Sequence, residues 1–365
     1  VNYVLLFLLL LPVKLLKKLG KKKSSRNLVI QTAKIGDFIN ITPLLKHLKH
    51  SDALLSRSVA PLARHDATLE EIFYIEDYKG SMFNKLKLAF ALINRYDSIY
   101  LLHPDSLNLF CAAMCNASDK QFISTYRRKW YHALFYATAN GIVEHSRTSL
   151  TLESYLRLAE RTLDRNSYPK HATFPLYQPQ NPPEELYRSD MIKIGISISA
   201  GNQAKTIPAA IWKTLFERLS SLPCLFYVFG TASESPWLQQ LYNVLDDSHN
   251  IVNMIGKIPL EELPYAIGKM DFYIASDSGN VYIADSQNVP VILIYGPCSI
   301  EEQRPLGEVL LIGPDHIAPS SFIFQAPYKF VYPAEKLFAL DTRKLDDIYD
   351  FIHARSTPLL TVKKI

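Results

Sequence analysis

Three short segments of this chain carry polar residues where an apolar run gives way to a turn, the place where a strand can deliver side chains to a ligand. The first is LVIQTAKIGDFINITP at 28–43, in which Gly36 permits a tight turn and Asp37 follows it. Amides of Gly36, Asp37 and Phe38 at a helix start would attract an anion or orient a polar ligand. Asp37 could be a proton acceptor or a helix cap worth about 1 kcal/mol, and residue type alone favours the cap. The second is ISISAGNQAKTIPAAIW at 196–212, where Ser199, Gly201 and Lys205 follow an apolar run and Pro208 opens a helix. Lys205 is either a solvated loop cation or a fixed charge that neutralises a diphosphate. The third is DFYIASDSGNVYIADSQNVPVILIYGP at 271–297. Here Asp277, Ser278, Gly279 and Asn280 stand at a strand-to-helix junction, where free amides make an anion site. Asp277 beside such a site suits sugar hydroxyls better than phosphate, with a plain N-cap at Asp277 or Ser278 as the structural alternative.

The elements that must position these residues follow from the apolar pattern. Strand-length runs at 27–33, 54–59, 72–75, 98–103 and 121–124 are separated by helical stretches at 37–49, 81–95 and 106–115, and a longer helix at 149–163 closes the half. After 165–190, which holds five prolines and reads as a linker, strands at 192–199, 225–229, 251–255, 272–275 and 291–295 alternate with helices again. An amphipathic stretch at 341–355 reads as a closing helix. Short apolar strands joined by helices imply parallel sheets covered on both faces. The expected division is therefore a segment at 1–26, a Rossmann-like domain at 27–164, the linker at 165–190, a second Rossmann-like domain at 191–340, and a helix with tail at 341–365. Ligands of such domains bind at the strand C-termini, in a cleft between the two.

Composition narrows the class. At 365 residues the chain suits two domains. Its net charge of +5 is local, because Lys14, Lys17, Lys18, Lys21, Lys22, Lys23 and Arg26 fall in residues 1–26 with no acid among them. The body of the chain is thus slightly acidic, which argues against nucleic acid as a partner. Residues 3–13 form an unbroken apolar run, short of the ~20 residues that span a bilayer. The lysines follow that run rather than precede it, unlike a secretory signal. A segment lying on an anionic membrane surface is expected, with a helix packed on the protein as the alternative. The four cysteines form no CxxC and suit a reducing compartment.

Taken together and in order, IGDFINITPLL, AGNQAKTIPAAIW, FGTASE, DSGNVYIADSQNVPVILIYGP and the RPLG at 304–307 resemble glycosyltransferase family 9, the heptosyltransferases. The resemblance implies a GT-B fold, two Rossmann-like domains whose parallel sheets face a central cleft. It implies that Asp37 is the base for the acceptor hydroxyl and that Ser199 and Lys205 contact the donor phosphates. Glu234 would lie near the nucleotide ribose, and Met254 or Gly256 would line the adenine pocket. Asp277 would bind the donor sugar, with Ser278, Gly279 and Asn280 at the diphosphate. The chain departs from the family pattern at Tyr282, where His is common, at Asn280, where Pro is common, and at Thr206-Ile207 after Lys205.

On that footing the expected reaction is an inverting, metal-independent transfer of heptose from ADP-heptose to the inner core of lipopolysaccharide or lipooligosaccharide, with no cofactor beyond the nucleotide-sugar donor. No DxD is present. The acceptor would be a lipid-linked core oligosaccharide met at the cytoplasmic face of the inner membrane. Gly36 and the basic run Arg127, Arg128 and Lys129 within YRRKWY, followed by His132, His145 and Arg147, could receive its acidic groups or could be a solvated face. The alternatives are another nucleotide sugar, such as a hexose or N-acetylhexosamine, and a catalytically silent assembly partner of the same fold. A nicotinamide dehydrogenase is disfavoured because no GxGxxG occurs.

Overall fold

A computed structural model describes residues 2–20, 26–162, 177–187, 190–245, 250–325 and 332–362, with side chains to 356. The chain divides into two compact units, Val1–Pro169 with Glu301–Gln303, and Lys170–Ile300 with Arg304–Ile365.

In the first unit six strands form one sheet: β1 (Arg26–Gln31), β2 (Ser51–Leu55), β3 (Leu69–Tyr74), β4 (Tyr96–Leu101), β5 (Asp119–Thr125) and β6 (Gly141–His145). Their order is β3-β2-β1-β4-β5-β6, and every pairing is parallel. The second unit repeats the plan with β7 (Ile192–Ser197), β8 (Cys224–Val228), β9 (Ile251–Asn253), β10 (Phe272–Ala275), β11 (Val291–Ile294) and β12 (Val309–Ile312), ordered β12-β11-β10-β7-β8-β9 and again parallel throughout. Counted from the first strand of each unit, both orders are 3-2-1-4-5-6, the doubly wound arrangement in which the winding reverses between the first and fourth strands. The ends of β1 and β4, and of β7 and β10, are the two switch points.

Helices cover both faces, so the central strands lose the period-two alternation of a half-exposed sheet. Leu28, Val29 and Ile30 of β1 are all fully buried. The first core joins Leu28, Ile30, Leu54, Ile99, Phe110 and Phe122; the second joins Ile194, Ile196, Trp212, Phe226, Ile274 and Ile292. Each such buried side chain contributes about 1.5–3 kcal/mol. The helix Thr342–Val362 buries Ile348 and Ile352 in the second core, as expected of a closing helix.

Several boundaries differ from expectation for local reasons. Strand β2 runs Ser51–Leu55, and the residues expected to extend it to 59 form instead a 3-10 segment, Arg57–Val59, capped by Ser56. The helix expected at 149–163 ends at Ala159. Strands β6 and β12 were not expected. Both are edge strands: β6 is the short and partly polar GIVEH, while the apolar run VLLI of β12 follows β11 through a loop rather than a helix and so falls outside the strand–helix alternation. Residues 165–176 and 188–189 of the expected linker lie outside the described residues. Within the rest, Glu184–Tyr187 forms a 3-10 turn fixed to the second unit, with Leu186 buried and the Tyr227 hydroxyl donating to the Glu185 carbonyl at 2.6 Å.

Candidate active site

In the second unit the loop after β7 and the turn after β10 meet at the switch point. Asn202 accepts from the Ala204 amide at 3.1 Å and so starts a 3-10 turn, Gln203–Lys205. The Thr206 hydroxyl accepts from the Ala200 amide at 3.3 Å and closes the loop. That geometry holds Lys205 over the end of β10, where its Nζ lies 2.7 Å from Oδ2 of Asp277. The second carboxylate oxygen, Oδ1, accepts from the Tyr282 hydroxyl at 2.8 Å. Tyr282 lies on the following helix, Gly279–Ser286, and is itself buried. Burial works against the Asp277 charge, but the Lys205 charge and the hydrogen bonds from Lys205, Tyr282 and Cys298 outweigh it and hold the carboxyl below the usual carboxylate range. Burial beside Asp277 in turn pushes the Cys298 thiol well up.

Ser278 occupies the N-cap of the helix Gly279–Ser286, yet its hydroxyl makes no capping bond. Its Oγ is buried with no hydrogen-bond partner among the described residues. A buried hydroxyl costs free energy unless it is paired, and this one stands with the first amides of a helix, a ready site for an anion. The Asn280 side chain turns the other way and donates to Ser197 Oγ at 3.0 Å, which is also 2.6 Å from the Tyr273 hydroxyl. Only the backbone of Asn280 is left for a ligand at that helix end.

Beside this cluster, Ser199 donates to Oε2 of Glu234 at 2.7 Å. Glu234 also accepts from the Thr231 amide at 3.2 Å, which fixes the turn after β8. A Cβ on Gly230 would stand 2.6 Å from Glu234 Oε2, so a larger residue there would displace the carboxylate that holds Ser199. Gly256 follows β9 with φ +70°, and its amide donates to the Gly230 carbonyl at 2.9 Å. The amide of buried Met254 donates to the Val228 carbonyl at 3.1 Å. The expected donor residues Ser199, Glu234, Met254 and Gly256 thus belong to one run of strand ends, β7, β8 and β9.

The first unit carries Asp37 at its own switch point. The helix that holds it, Ile35–Leu48, starts two residues earlier than expected, with Lys34 at the N-cap. Asp37 is therefore the third helical residue, and its Oδ2 accepts from the Lys34 amide at 3.2 Å. The same shift corrects the expectation for Phe38, whose amide donates to the Lys34 carbonyl at 3.0 Å inside the helix. Gly36 is buried and its carbonyl accepts from Asn40 at 2.8 Å. Near Asp37, Tyr155 is fully buried and receives a hydrogen bond from Gln31 at 3.1 Å. Burial, then the Asp37 charge, pushes its phenol well up.

A further polar residue, outside the three segments, stands on the same rim. His103, just past β4, places Nδ1 2.9 Å from the Thr32 hydroxyl at the end of β1. Asn108 donates both to that hydroxyl at 2.7 Å and to the His103 carbonyl at 2.9 Å. A histidine in an apolar-looking run carries no local motif, so only the adjacency of β1 and β4 reveals it.

Comparison with known proteins decides the family. The model of Glycosyltransferase family 9 (heptosyltransferase) matches residues 86–313. The chain belongs to this family. Lipooligosaccharide heptosyltransferase 2 of Haemophilus influenzae is 24% identical over 201 residues, which are 50% of this chain and 57% of that protein, under two thirds of its length. Among solved structures, the ADP-heptose lps heptosyltransferase II of E. coli superposes with a TM-score of 0.66 at 17% identity, covering 93% of this chain and 100% of that one. A family 9 glycosyl transferase from Veillonella parvula DSM 2008 gives 0.63 at 18% identity over 81% and 87% of the two chains. The E. coli heptosyltransferase WaaC with ADP gives 0.60 at 14% identity over 91% and 99%. At these identities the structures establish the shared fold.

Within this family 9 chain the RPLG segment has a structural explanation. Asp285, on the helix after Ser278, accepts from the amides of Leu306 and Gly307 at 3.0 and 2.8 Å, which ties the loop before β12 to the helix of the anion site. The basic run after β5 is exposed at Arg127, Arg128 and Lys129. Arg128 lies over the Tyr136 ring at 4.4 Å and 3.9 Å from Glu144, and Lys129 lies 5.6 Å from the Tyr131 ring. The two histidines expected on that face are instead internal. His132 is buried against Ser106 at 3.0 Å, and His145 is buried between Ser154 at 2.9 Å and Glu302 at 3.2 Å. Neither offers a surface contact, because both are buried, His132 with Nε2 on Ser106 and His145 with both nitrogens on interior partners. Arg147 stays exposed, over the Tyr126 ring at 5.0 Å.

Proposed function

We propose that the protein transfers a heptose from ADP-heptose to the inner core of lipopolysaccharide or lipooligosaccharide, with inversion at the anomeric carbon. The observation that carries this reading is the Lys205–Asp277 pair, 2.7 Å apart, at the switch point of the second unit, inside the span that matches family 9.

The chemistry follows from charge. As the acceptor oxygen attacks the anomeric carbon from the face opposite the diphosphate, the bond to the phosphate oxygen breaks and negative charge grows on the leaving nucleotide. Lys205, the first amides of the helix Gly279–Ser286 and the unpaired Ser278 hydroxyl supply donors for that charge in a partly dry site. In this reading they do the work that a metal does in other transferases. Asp277, kept ionised, accepts hydrogen bonds from sugar hydroxyls. Ser199 and Glu234 take the ribose side of the nucleotide, and Met254 and Gly256 the base. Asp37 removes the proton of the attacking hydroxyl, a contribution of about 10²–10⁴-fold. The lipid-linked core acceptor is assigned to the exposed Arg127, Arg128 and Lys129 and the rim around Gly36.

Transfer to a core acceptor, followed by mass spectrometry of the acceptor and by ADP release, tests the proposal. The expected product gains one heptose in the presence of a chelator. Addition of a hexose or N-acetylhexosamine from another nucleotide sugar, with no heptose transfer, would keep the fold and replace the donor. That second reading is favoured by one feature, the Tyr282 phenol on Asp277, which changes the hydrogen-bonding partner of the sugar-binding carboxylate. Binding of no nucleotide sugar at all would leave a silent protein of the same fold.

A further inference from the structure

The helix Asn2–Lys18 is apolar on two sides, and only one of them is used by the protein. Its inner side is clamped to the first unit. Phe7 is buried and meets the Phe135 ring edge-on at 5.6 Å, Tyr3 lies 5.7 Å from Phe110, and Asn116 donates to the Lys14 carbonyl at 3.0 Å. Asn94 likewise donates to the Lys17 carbonyl. The outer side repeats at i, i+3, i+4 and i+7 and carries Leu5, Leu8, Leu9, Leu15, Leu16 and, just past the helix, Leu19, with exposures from 48% at Leu8 to 86% at Leu19. A helix facing only water presents a polar outer side, and a contiguous apolar patch on a soluble surface marks an interaction site.

We infer that this outer face docks on an anionic lipid bilayer, with the helix lying in the plane of the surface. Charge selects this occupant. Lys17 and Lys18 are exposed at the end of the stripe, Lys21, Lys22 and Lys23 follow, and residues 1–26 contain no acid. Anionic headgroups meet such a cluster, whereas a second copy of this face would bring lysines and no carboxylate from the same segment. Geometry selects the orientation. A helix of 17 residues extends about 25 Å, short of the ~30 Å hydrocarbon core. No helix among the described residues is long and apolar enough to cross a membrane, and the inner side is already held by protein. The leucines would enter the acyl boundary while the lysines stay at headgroup level.

This inference does not depend on the donor or the reaction, and its test reads lipid binding alone. The whole chain is floated with vesicles of phosphatidylcholine and with vesicles of phosphatidylcholine containing phosphatidylglycerol. The wild type is expected to bind the anionic vesicles on the order of tenfold better. Leu9→Glu with Leu16→Glu is expected to cut that binding by on the order of tenfold or more with an unchanged melting temperature, because both side chains point away from the core. Lys17→Gln with Lys18→Gln is expected to reduce the preference for the anionic vesicles and leave the fold intact. Absence of the wild type from both vesicle fractions would overturn the inference, as would equal binding by the Leu9/Leu16 variant. A wild-type dimer in sedimentation that the same variant dissolves, without vesicle binding, would replace the bilayer with a second copy.

Discussion

Asp277 is gripped on both oxygens, by Lys205 at 2.7 Å and by Tyr282 at 2.8 Å, and this grip sets both its charge and its direction. Tyr282→Phe removes one donor to an ionised acceptor, a loss of roughly 1.5–3 kcal/mol, or about tenfold or more in kcat/KM for the donor. Because the phenol helps hold the carboxyl low, its loss raises the Asp277 pKa, and the acid limb of the kcat/KM profile should move to higher pH. A profile that keeps its position would mean that Asp277 does not govern that limb. Away from the site, Lys120 is almost wholly buried, with Nζ donating to the Ala113 carbonyl at 3.2 Å. Burial, and then the Lys14 charge, pushes it down to about 7. The unfolded chain would hold that proton up to the ordinary lysine range, near pH 10.4, so folding releases it in between and stability should rise with pH across that window. Lys120→Met is expected to flatten this rise and to stabilise the protein most at and below pH 7, read from melting curves. Equal slopes for the two proteins would contradict it. Lys205 and Asp277 were visible in the sequence because each follows an apolar run and a small-residue turn. The Tyr282 and Cys298 contacts were not, since nothing in their spacing shows that both side chains fold back on one carboxylate.

At the scale of elements, the helix Gly279–Ser286 begins with a hydroxyl that does not cap it. Ser278→Ala should therefore leave the melting temperature of the unliganded protein unchanged or slightly higher, since it removes a buried polar atom that has no partner among the described residues. It should also weaken nucleotide-sugar binding about three- to tenfold, as measured by calorimetry. A fall in melting temperature without a change in affinity would assign Ser278 to structure. The strands that reach the site were legible because they are central and buried on both faces, as in β1, β4, β7 and β10. Strand β6 escaped because GIVEH is short and partly polar, and β12 because its apolar run VLLI follows β11 through a loop rather than the helix that marks the other strands. The start of the helix Ile35–Leu48 was misplaced by two residues, since Asp37 can serve as a cap from the third helical position as well as from the N-cap itself.

At the scale of the whole molecule, the two units repeat one doubly wound plan and each places a carboxylate just beyond its switch point, Asp37 in the first and Asp277 in the second. The proposed division of labour predicts that they fail differently. Asp37→Asn keeps an oxygen for the Lys34 amide and so preserves the helix start. It should lower kcat by about 10²–10⁴-fold with donor affinity and melting temperature unchanged. Loss of donor binding in this variant would make Asp37 a structural cap and leave the base unassigned. The most direct test of the central claim is calorimetric titration of the chelated protein with ADP, UDP, GDP and CMP, on the wild type and on Lys205→Ala. Selective binding of ADP, weakened about tenfold or more by the substitution, is the predicted result. A preference for another nucleotide, or ADP binding indifferent to Lys205, would contradict a donor site built on the Lys205–Asp277 pair for ADP-heptose.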